Sequence, residues 1–195
     1  MNFTNPYTIL EIDKYSTTDD IRKAYKSLMM KHHPDTGDGD RAKFDEVRLA
    51  YIQLKDKKLS INNAEKFISS VEFGASIFFS GTVRNLNNNK SVLGITYDSH
   101  DELVIKSFKE IYKEADEKLN IQDKAVFIEH AKGYLNLGET SIIIAVACKH
   151  RDEAYVLSRY IIEEIKKRSP IWKKEHYTDS KSDWLKGNPI LHEKN

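Results

Sequence analysis

The amino-acid sequence predicts an α+β protein in two parts, a small all-helical domain followed by a larger domain of helices and strands. Up to about residue 60, the apolar residues recur only at the three- and four-residue intervals of a helix. After Gly74, short runs of β-branched and aromatic residues alternate with long amphipathic ones. The 195 residues are enough for one ordinary domain or two small ones. We therefore place a domain boundary between the two patterns.

Composition narrows the classes of protein to consider. Basic residues number 31 and acidic residues 30, and neither part has the basic excess of a nucleic-acid binder. The longest apolar run, Ile142 to Cys148, is far shorter than the roughly 20 residues that cross a bilayer. The N-terminus lacks the pattern of a secretion signal, and the single Cys148 cannot form an internal disulfide. We expect a cytoplasmic protein that binds neither nucleic acid nor membrane.

The first part predicts two antiparallel helices. Thr17 is placed as the N-cap of the first helix, and the second begins near Asp40. Residues 32–39 between them are typical of a turn. The apolar faces are Ile21, Ala24, Tyr25 and Leu28 in the first helix, and Phe44, Val47, Ala50, Tyr51 and Leu54 in the second.

The acidic residues Asp35 and Asp38 lie in this turn, and Asp40 follows it directly. Their spacing is not that of a calcium loop. The adjacent His32 and His33 diverge at a helix end, which disfavours a zinc site. We predict a polar turn and no metal.

The string His33-Pro34-Asp35 lies at the end of a basic amphipathic helix. With this string and the apolar positions of both helices, the first part of the chain resembles a J-domain. The resemblance covers residues 5–58, and we assign residues 1–58 to this domain. It implies that His33, Pro34 and Asp35 bind a DnaK-type chaperone and stimulate its ATP hydrolysis. A rigid proline and a basic helix that attracts an acidic partner are consistent with that role. The alternative, that Pro34 only ends the helix, stays open.

The second part predicts a sandwich of helices and strands. Residues 59–73 are interpreted as a linker that can contain a short helix through Ala64, Phe67 and Ile68. Strands are predicted at 75–84, 91–99, 125–133 and 141–149. A helix is predicted over 101–119, and the residues expected to face the core are Leu103, Phe108, Ile111, Tyr112, Ala115 and Leu119. The first two strands are expected to pair through a turn at 87–90. Residues 141–148 are too apolar for an edge strand.

The last helix and strand of this part bring cations together. The helix starts at Arg151 and stops before Pro170, which has no amide hydrogen to donate. Its buried stripe is Ala154, Leu157, Ile161 and Ile165. Lys166 is left on the flank, and in the following strand Lys173 and Glu175 point to the same side. We expect Lys166 and Lys173 to face one pocket for an anionic substrate.

Several motifs in this part occur in the order found in the large, catalytic subunit of molybdopterin synthase, which this part of the chain resembles. The motifs are Phe79-Ser80-Gly81-Thr82-Val83-Arg84-Asn85, Gly133-Tyr134-Leu135 with Gly138-Glu139, His150-Arg151, the segment from Lys166 to Glu175, and Trp184. The match runs from residue 74 to 186. It implies an α/β hammerhead-type sandwich over residues 74–188, followed by a tail at 189–195.

The resemblance also implies an enzyme. Members of that family convert cyclic pyranopterin monophosphate to molybdopterin, and they take two sulfurs from the thiocarboxylated Gly-Gly tail of a small ubiquitin-like subunit. No permanently bound metal or organic cofactor is implied. We expect the sulfur carrier to be a separate protein, and the large subunit to form a homodimer that becomes a heterotetramer with two carriers.

The resemblance assigns roles to individual side chains. Lys166 is the leading catalytic residue, near the carbonyl of the donor tail, where an ammonium stabilises developing negative charge and passes a proton. Lys173 is the second catalytic residue. The residues expected to bind substrate are Arg84, His150, Arg151 and Phe79, with arginine offering paired hydrogen bonds to phosphate oxygens.

Other interpretations stay open. A lysine such as Lys166 in the last turn of a helix also complements the helix dipole, and Arg84 and Arg151 alone are typical of surface charges. Cys148 is typical of a buried small residue rather than a nucleophile. Where the family has His-Arg-x-Gly, this chain has His130-Ala131-Lys132-Gly133, so an arginine is missing. The alternative function is a J-domain co-chaperone whose second domain is a non-catalytic binding module.

Overall fold

The computed structural model of the chain describes residues 9–13, 16, 18–32, 39–40, 43, 52–55, 58–178 and 183–185. The chain forms two compact units that divide between Ile52 and Gln53. The predicted N-cap Thr17, the loop from His33 to Asp35, most of the second predicted helix and the tail at 189–195 lie outside the described residues. The helical hairpin therefore stays a prediction, but its predicted end is wrong, because Leu54 lies in a strand over Ile52–Lys55 and not in a helix.

In the first unit, helix α1 (Thr18–Lys31) forms where the helical spacing predicts it. Leu28 on its apolar face is buried, and Ala24 and Tyr25 on the same face are half-buried. Lys23 and Lys31 are exposed. The helix is thus amphipathic as expected from the sequence.

Among its described residues, the second unit contains two sheets and three helices, and its first strand begins at Ile52, where the two units divide. Its elements in chain order are β1 (Ile52–Lys55), α2 (Ile61–Ile68), β2 (Ala75–Thr82), β3 (Leu86–Asn87), β4 (Lys90–Ser99), α3 (Asp101–Leu119), β5 (Lys124–Ala131), β6 (Gly133–Asn136), β7 (Thr140–Cys148), α4 (Arg151–Arg168), β8 (Ile171–Tyr177) and β9 (Asp183–Leu185). The first sheet has the order β1-β5-β7-β2. In the second sheet, β4 pairs with β3 and β6 as well as with β8, and β8 pairs with β9.

Helices cover both faces of the first sheet. Phe67 of α2 contacts Phe127 of β5, with ring centroids 5.8 Å apart. Phe127 shares a face with Phe78, because both are paired with Ala145 of β7. Phe79 points to the opposite face, toward α4, since side chains alternate along a strand. With both faces covered, every residue of β5 is buried and β7 is a central strand, as its apolar run predicts.

The predicted pairing between the strands at 75–84 and 91–99 is wrong. Strand β2 pairs with β7 in the first sheet, whereas β4 belongs to the second sheet. The chain changes sheet just after β2, where Val83 donates its N–H to the carbonyl of Glu139 at 3.0 Å and accepts from the N–H of Gly138 at 2.8 Å. The expected turn does form. Asn88 and Asn89 both have positive φ, as two-residue hairpins require, but they join β3 to β4.

Two further expectations differ from the structure. The short helix expected through Ala64, Phe67 and Ile68 forms as α2, but it packs on β5 and β7 of the second unit and is not part of a linker. Leu103 was expected in the core, but it is 48% exposed while its neighbour Val104 is fully buried. The inward stripe of α3 follows Val104, Phe108, Ile111, Tyr112 and Ala115. Leu103 lies one residue off that stripe.

Candidate active site

A groove of about 460 Å³ lies between β2 and α4. Ile77 and Phe79 line it from the strand. From the helix, it is lined by Tyr155, Val156, Ser158, Arg159, Ile162, Glu163 and Lys166. A concave, largely apolar surface with a few placed charges is typical of a ligand site.

Lys166 and Phe79 meet at this groove. The Nζ atom of Lys166 lies 5.8 Å from the centroid of the Phe79 ring, within the range of a cation–π contact. Helix α4 positions the lysine because Ile162 and Ile165 anchor its last turn in the core, which leaves the next residue on the groove side. Lys166 itself is exposed, so its ammonium is accessible. The structure thus brings together two residues that the sequence predicts for the site.

Lys173 has a different environment. Its Nζ atom lies 2.6 Å from Oε1 of Glu175, whose side chain is 2% exposed. The prediction that these two side chains share a side of the strand is therefore confirmed. The Oε2 atom of Glu175 accepts from Nδ2 of Asn87 at 2.8 Å and from the hydroxyl of Tyr177 at 2.6 Å. Burial would raise the pKa of Glu175, but the hydrogen bonds from Lys173, Tyr177 and Asn87 together lower it below the ordinary value.

The sequence reasoning missed Asn87 and Tyr177. Side chains two residues apart on a strand point to the same side, so the alternation of β8 could have placed Tyr177 beside Lys173 and Glu175. Asn87 lies 88 residues from Glu175 in the chain, and no local pattern connects the two.

The residues predicted to bind the anionic substrate are spread more widely. His150 and Arg151 stand at the N-terminal end of α4, and Arg151 is exposed. Lys166 lies 15 residues further along the same helix, which at about 1.5 Å per residue places the two ends about 22 Å apart. Arg84 is exposed in the segment between β2 and β3. Among the described residues, the lining of the groove includes neither these three residues nor Lys173, so this groove does not meet the expectation that Lys166 and Lys173 face one pocket.

Residues 130–133, which depart from the family pattern, include a lysine in a salt bridge with Asp101. Ala131, which replaces the usual arginine, is 2% exposed. The Nζ atom of Lys132 lies 2.9 Å from both carboxylate oxygens of Asp101. The hydrogen bond from Lys132 is the main cause that lowers the pKa of Asp101. Lys132 is therefore engaged in a contact of its own and does not stand in for the missing arginine.

Two buried groups of the second unit, His130 and Cys148, have shifted pKa values. Burial lowers the pKa of His130 to about 4, so its ring is neutral at physiological pH. The ring makes an edge contact with Tyr97, with centroids 5.0 Å apart. Burial also raises the pKa of the Cys148 thiol to about 11. A buried thiol that stays protonated is a poor nucleophile.

In the part of the chain that the structure describes, no three His, Cys, Asp or Glu side chains are grouped so that they could hold a metal ion. No helix in the described segments is long and apolar enough to span a bilayer.

Family models match both parts of the chain. A model described as MoaE protein matches residues 54–168, and a DnaJ domain model matches residues 5–60. The MoaE match begins close to the division between the two units, upstream of the predicted start at residue 74. The fusion of two different domains in one chain is thereby supported.

Curated proteins and solved structures resemble the second part. A molybdopterin synthase catalytic subunit from Synechococcus elongatus is 37% identical over 73% of this chain and 86% of its own length. One from Pyrococcus abyssi is 35% identical over 69% of this chain and 88% of its own. The crystal structure of molybdopterin synthase from Staphylococcus aureus has 28% identity and a TM-score of 0.65, covering 70% of this chain and 97% of that one.

A further solved structure has the same fold. It is a complex of subunits 1 and 2 of the molybdopterin-converting factor from Helicobacter pylori, with 22% identity and a TM-score of 0.56, covering 67% of this chain and 87% of that one. The family model, which spans more than half of the sequence, and the curated relatives at 37% and 35% identity establish the family. The chain belongs to the MoaE protein family, whose curated members are named molybdopterin synthase catalytic subunit, and it is an enzyme with this role.

Proposed function

We propose that the second unit converts cyclic pyranopterin monophosphate to molybdopterin in the cytoplasm, with sulfur from the thiocarboxylated Gly-Gly tail of a separate small carrier. The observation that carries the proposal is the accessible ammonium of Lys166 over Phe79, at a groove beside β2. Strand β2 is the last in the order of its sheet. An extended tail can lie along such a strand and end at the lysine.

The chemistry explains why a lysine belongs there. Each transfer forms a carbon–sulfur bond to the pterin as a carbon–oxygen bond at the same carbon breaks, and the freed oxygen stays on the phosphate or leaves as water. Water then cleaves the acyl carbon–sulfur bond of the carrier, which releases the carrier carboxylate and leaves the sulfur on the pterin. Negative charge develops on the carbonyl oxygen of the tail during that hydrolysis. The ammonium of Lys166 is proposed to stabilise this charge and to donate a proton to the leaving sulfur.

Lys173 is proposed as a fixed positive charge beside the substrate. Its contact with buried Glu175 holds the ammonium in place, and one-third of its side chain is exposed, so it can still reach a ligand. Arg84, His150 and Arg151 are proposed to bind the phosphate. Because His150 and Arg151 lie at the far end of α4 from Lys166, they fit this role in a homodimer, where a second copy can supply them to the site.

For the first unit, we propose that His33, Pro34 and Asp35 engage a DnaK-type chaperone. The DnaJ domain match over residues 5–60 and the amphipathic helix α1 support this role. The test is stimulation of the ATPase of a cognate chaperone, which His33→Gln should abolish. Equal stimulation by the wild type and the variant would contradict the assignment.

A second candidate function follows from one observation. Ala131 occupies the place where the family pattern has an arginine, and Lys132 is held by Asp101. Loss of that cation favours a co-chaperone whose second unit binds a partner without turnover. The two functions differ in whether product forms.

The test uses the full chain with a thiocarboxylated carrier and the pyranopterin, and it measures the dithiolene product. The wild type should turn over, and Lys166→Ala should lower kcat by about 100-fold or more, the scale of a lost proton donor or oxyanion contact. Lys167→Ala is the matched control. Its ammonium pairs with Glu164 on the surface at 3.0 Å, so it should keep full activity. A folded wild type that makes no product would favour the co-chaperone.

A further inference from the structure

The buried carboxylate of Glu175 connects Lys173 to a hairpin and a strand end that have no assigned role. Its two oxygens have separate partners. Oε1 lies 2.6 Å from the ammonium of Lys173, while Oε2 accepts from Asn87 at 2.8 Å and from Tyr177 at 2.6 Å. A carboxylate held at both oxygens cannot rotate without breaking a hydrogen bond. Its direction toward the lysine is therefore fixed.

Burial makes these hydrogen bonds effective. Glu175 is 1% exposed, so water does not compete for its oxygens. Hydrogen bonds to a charged group in such surroundings are among the stronger ones in proteins. Loss of one donor would leave a buried lone pair without a partner, which is costly.

The donors are themselves held by a tight hairpin. Asn87 pairs with Lys90 across the turn between β3 and β4, and the turn residues Asn88 and Asn89 have the positive φ that this geometry needs. Lys90 also reaches the second donor, because its Nζ atom lies 5.4 Å from the centroid of the Tyr177 ring. One hairpin thus contacts both groups that hold Oε2.

We propose that Asn87 and Tyr177 are positioning residues that fix the ammonium of Lys173 through Glu175, an inference that rests on the function proposed above. A lysine side chain has four flexible bonds, and ordering it during the reaction would cost entropy. The network orders it beforehand. Neither Asn87 nor Tyr177 is assigned contact with the substrate.

The variants remove one donor at a time. Asn87→Ala and Tyr177→Phe each delete a hydrogen bond to Oε2 and leave Lys173 and Glu175 intact, and the second keeps the ring that contacts Lys90. Asn88→Gly is the matched control, because its φ of 48° is readily adopted by glycine and the turn is kept. Thermal melting identifies any variant that fails to fold.

The kinetic readout separates positioning from binding. We expect kcat to fall about tenfold in Asn87→Ala and in Tyr177→Phe, with the KM for the carrier unchanged and Asn88→Gly equal to wild type. In a Lys173→Ala background, Asn87→Ala should cause no further loss. Unchanged kcat, or a full additional loss in that background, would overturn the proposal.

A second readout does not depend on turnover. Lysine side-chain NMR of the full chain measures how fast the ammonium protons of Lys173 exchange with water. Exchange should be several times faster in Asn87→Ala and Tyr177→Phe than in the wild type and Asn88→Gly. Equal exchange rates would overturn the positioning role even in an active enzyme. A wild type that makes no product but shows the expected NMR differences would contradict the proposed function alone.

Discussion

Lys166 and Lys173 lie on either side of the junction between α4 and β8, yet their surroundings are opposites. Lys166 is exposed over the ring of Phe79 in an open groove. Lys173 is held by a buried carboxylate that has two further donors. The family resemblance gives both lysines a catalytic role, but the surroundings give them different tasks. We propose that the ammonium of Lys166 adjusts to an arriving tail and that the ammonium of Lys173 acts as a fixed charge.

The largest expected effect tests the fixed side of this comparison. Glu175→Gln should lower the free energy of unfolding by about 1–3 kcal/mol, since a neutral amide replaces a buried acceptor of three hydrogen bonds. Urea denaturation measures it. Glu110→Gln is the control, because that carboxylate lies 3.8 Å from Lys106 on the surface and its loss should cost less than about 0.5 kcal/mol. Equal losses would show that the network around Glu175 is not special.

The second effect is the pH dependence of that stabilisation. The folded pKa of Glu175 lies below its ordinary value of 4.5, so its contribution to stability is fully present above that value and is lost as the pH falls through the folded pKa. The gap in unfolding free energy between the wild type and Glu175→Gln should therefore narrow below pH 4.5. A gap that widens on acidification would contradict the direction of the shift.

The third effect tests the open side. Phe79→Leu removes the ring under Lys166 while it keeps an apolar side chain, and we expect a loss of about 0.5–1 kcal/mol in transition-state stabilisation, or a two- to fivefold fall in kcat/KM. Phe78→Leu is the control, since this neighbour points to the other face of β2 and should change kcat/KM little. Similar falls in both variants would indicate a general effect on the strand.

The smallest expected effect concerns Lys132, whose ordinary salt bridge is a reference for the contacts of Lys166 and Lys173. Lys132→Ala breaks a partly exposed salt bridge with Asp101 and should cost about 0.2–1 kcal/mol of stability. It should also raise the pKa of Asp101 toward its ordinary value, because Lys132 is the main cause of the lowering. NMR titration of the Asp101 carboxyl measures the shift, and an unchanged pKa would refute that cause.

Local patterns in the sequence predicted much of this arrangement. The stripe from Ala154 to Ile165 and the stop before Pro170 gave the bounds of α4, and strand alternation gave the shared side of Lys173 and Glu175. These features depend on the period of one helix or strand, which the sequence expresses directly.

Non-local features were not predictable in the same way. The pairing of β2 with β7 and the contact of Asn87 with Glu175 join segments far apart in the chain. No periodicity within either segment identifies its partner. Residues 59–73 show both cases. The short helix through Ala64, Phe67 and Ile68 was predicted from its local spacing, whereas its packing on β5 and β7 is non-local and was not.

The most direct test of the account is product formation by four single variants assayed in parallel with a thiocarboxylated carrier and the pyranopterin. Lys166→Ala and Lys173→Ala should each lose nearly all dithiolene product. Lys167→Ala and Lys174→Ala should keep it, because Lys167 is exposed and pairs with Glu164, and Lys174 lies over the Trp184 ring on the other side of β8. Equal product from all four variants would contradict the claim that Lys166 and Lys173 carry the reaction.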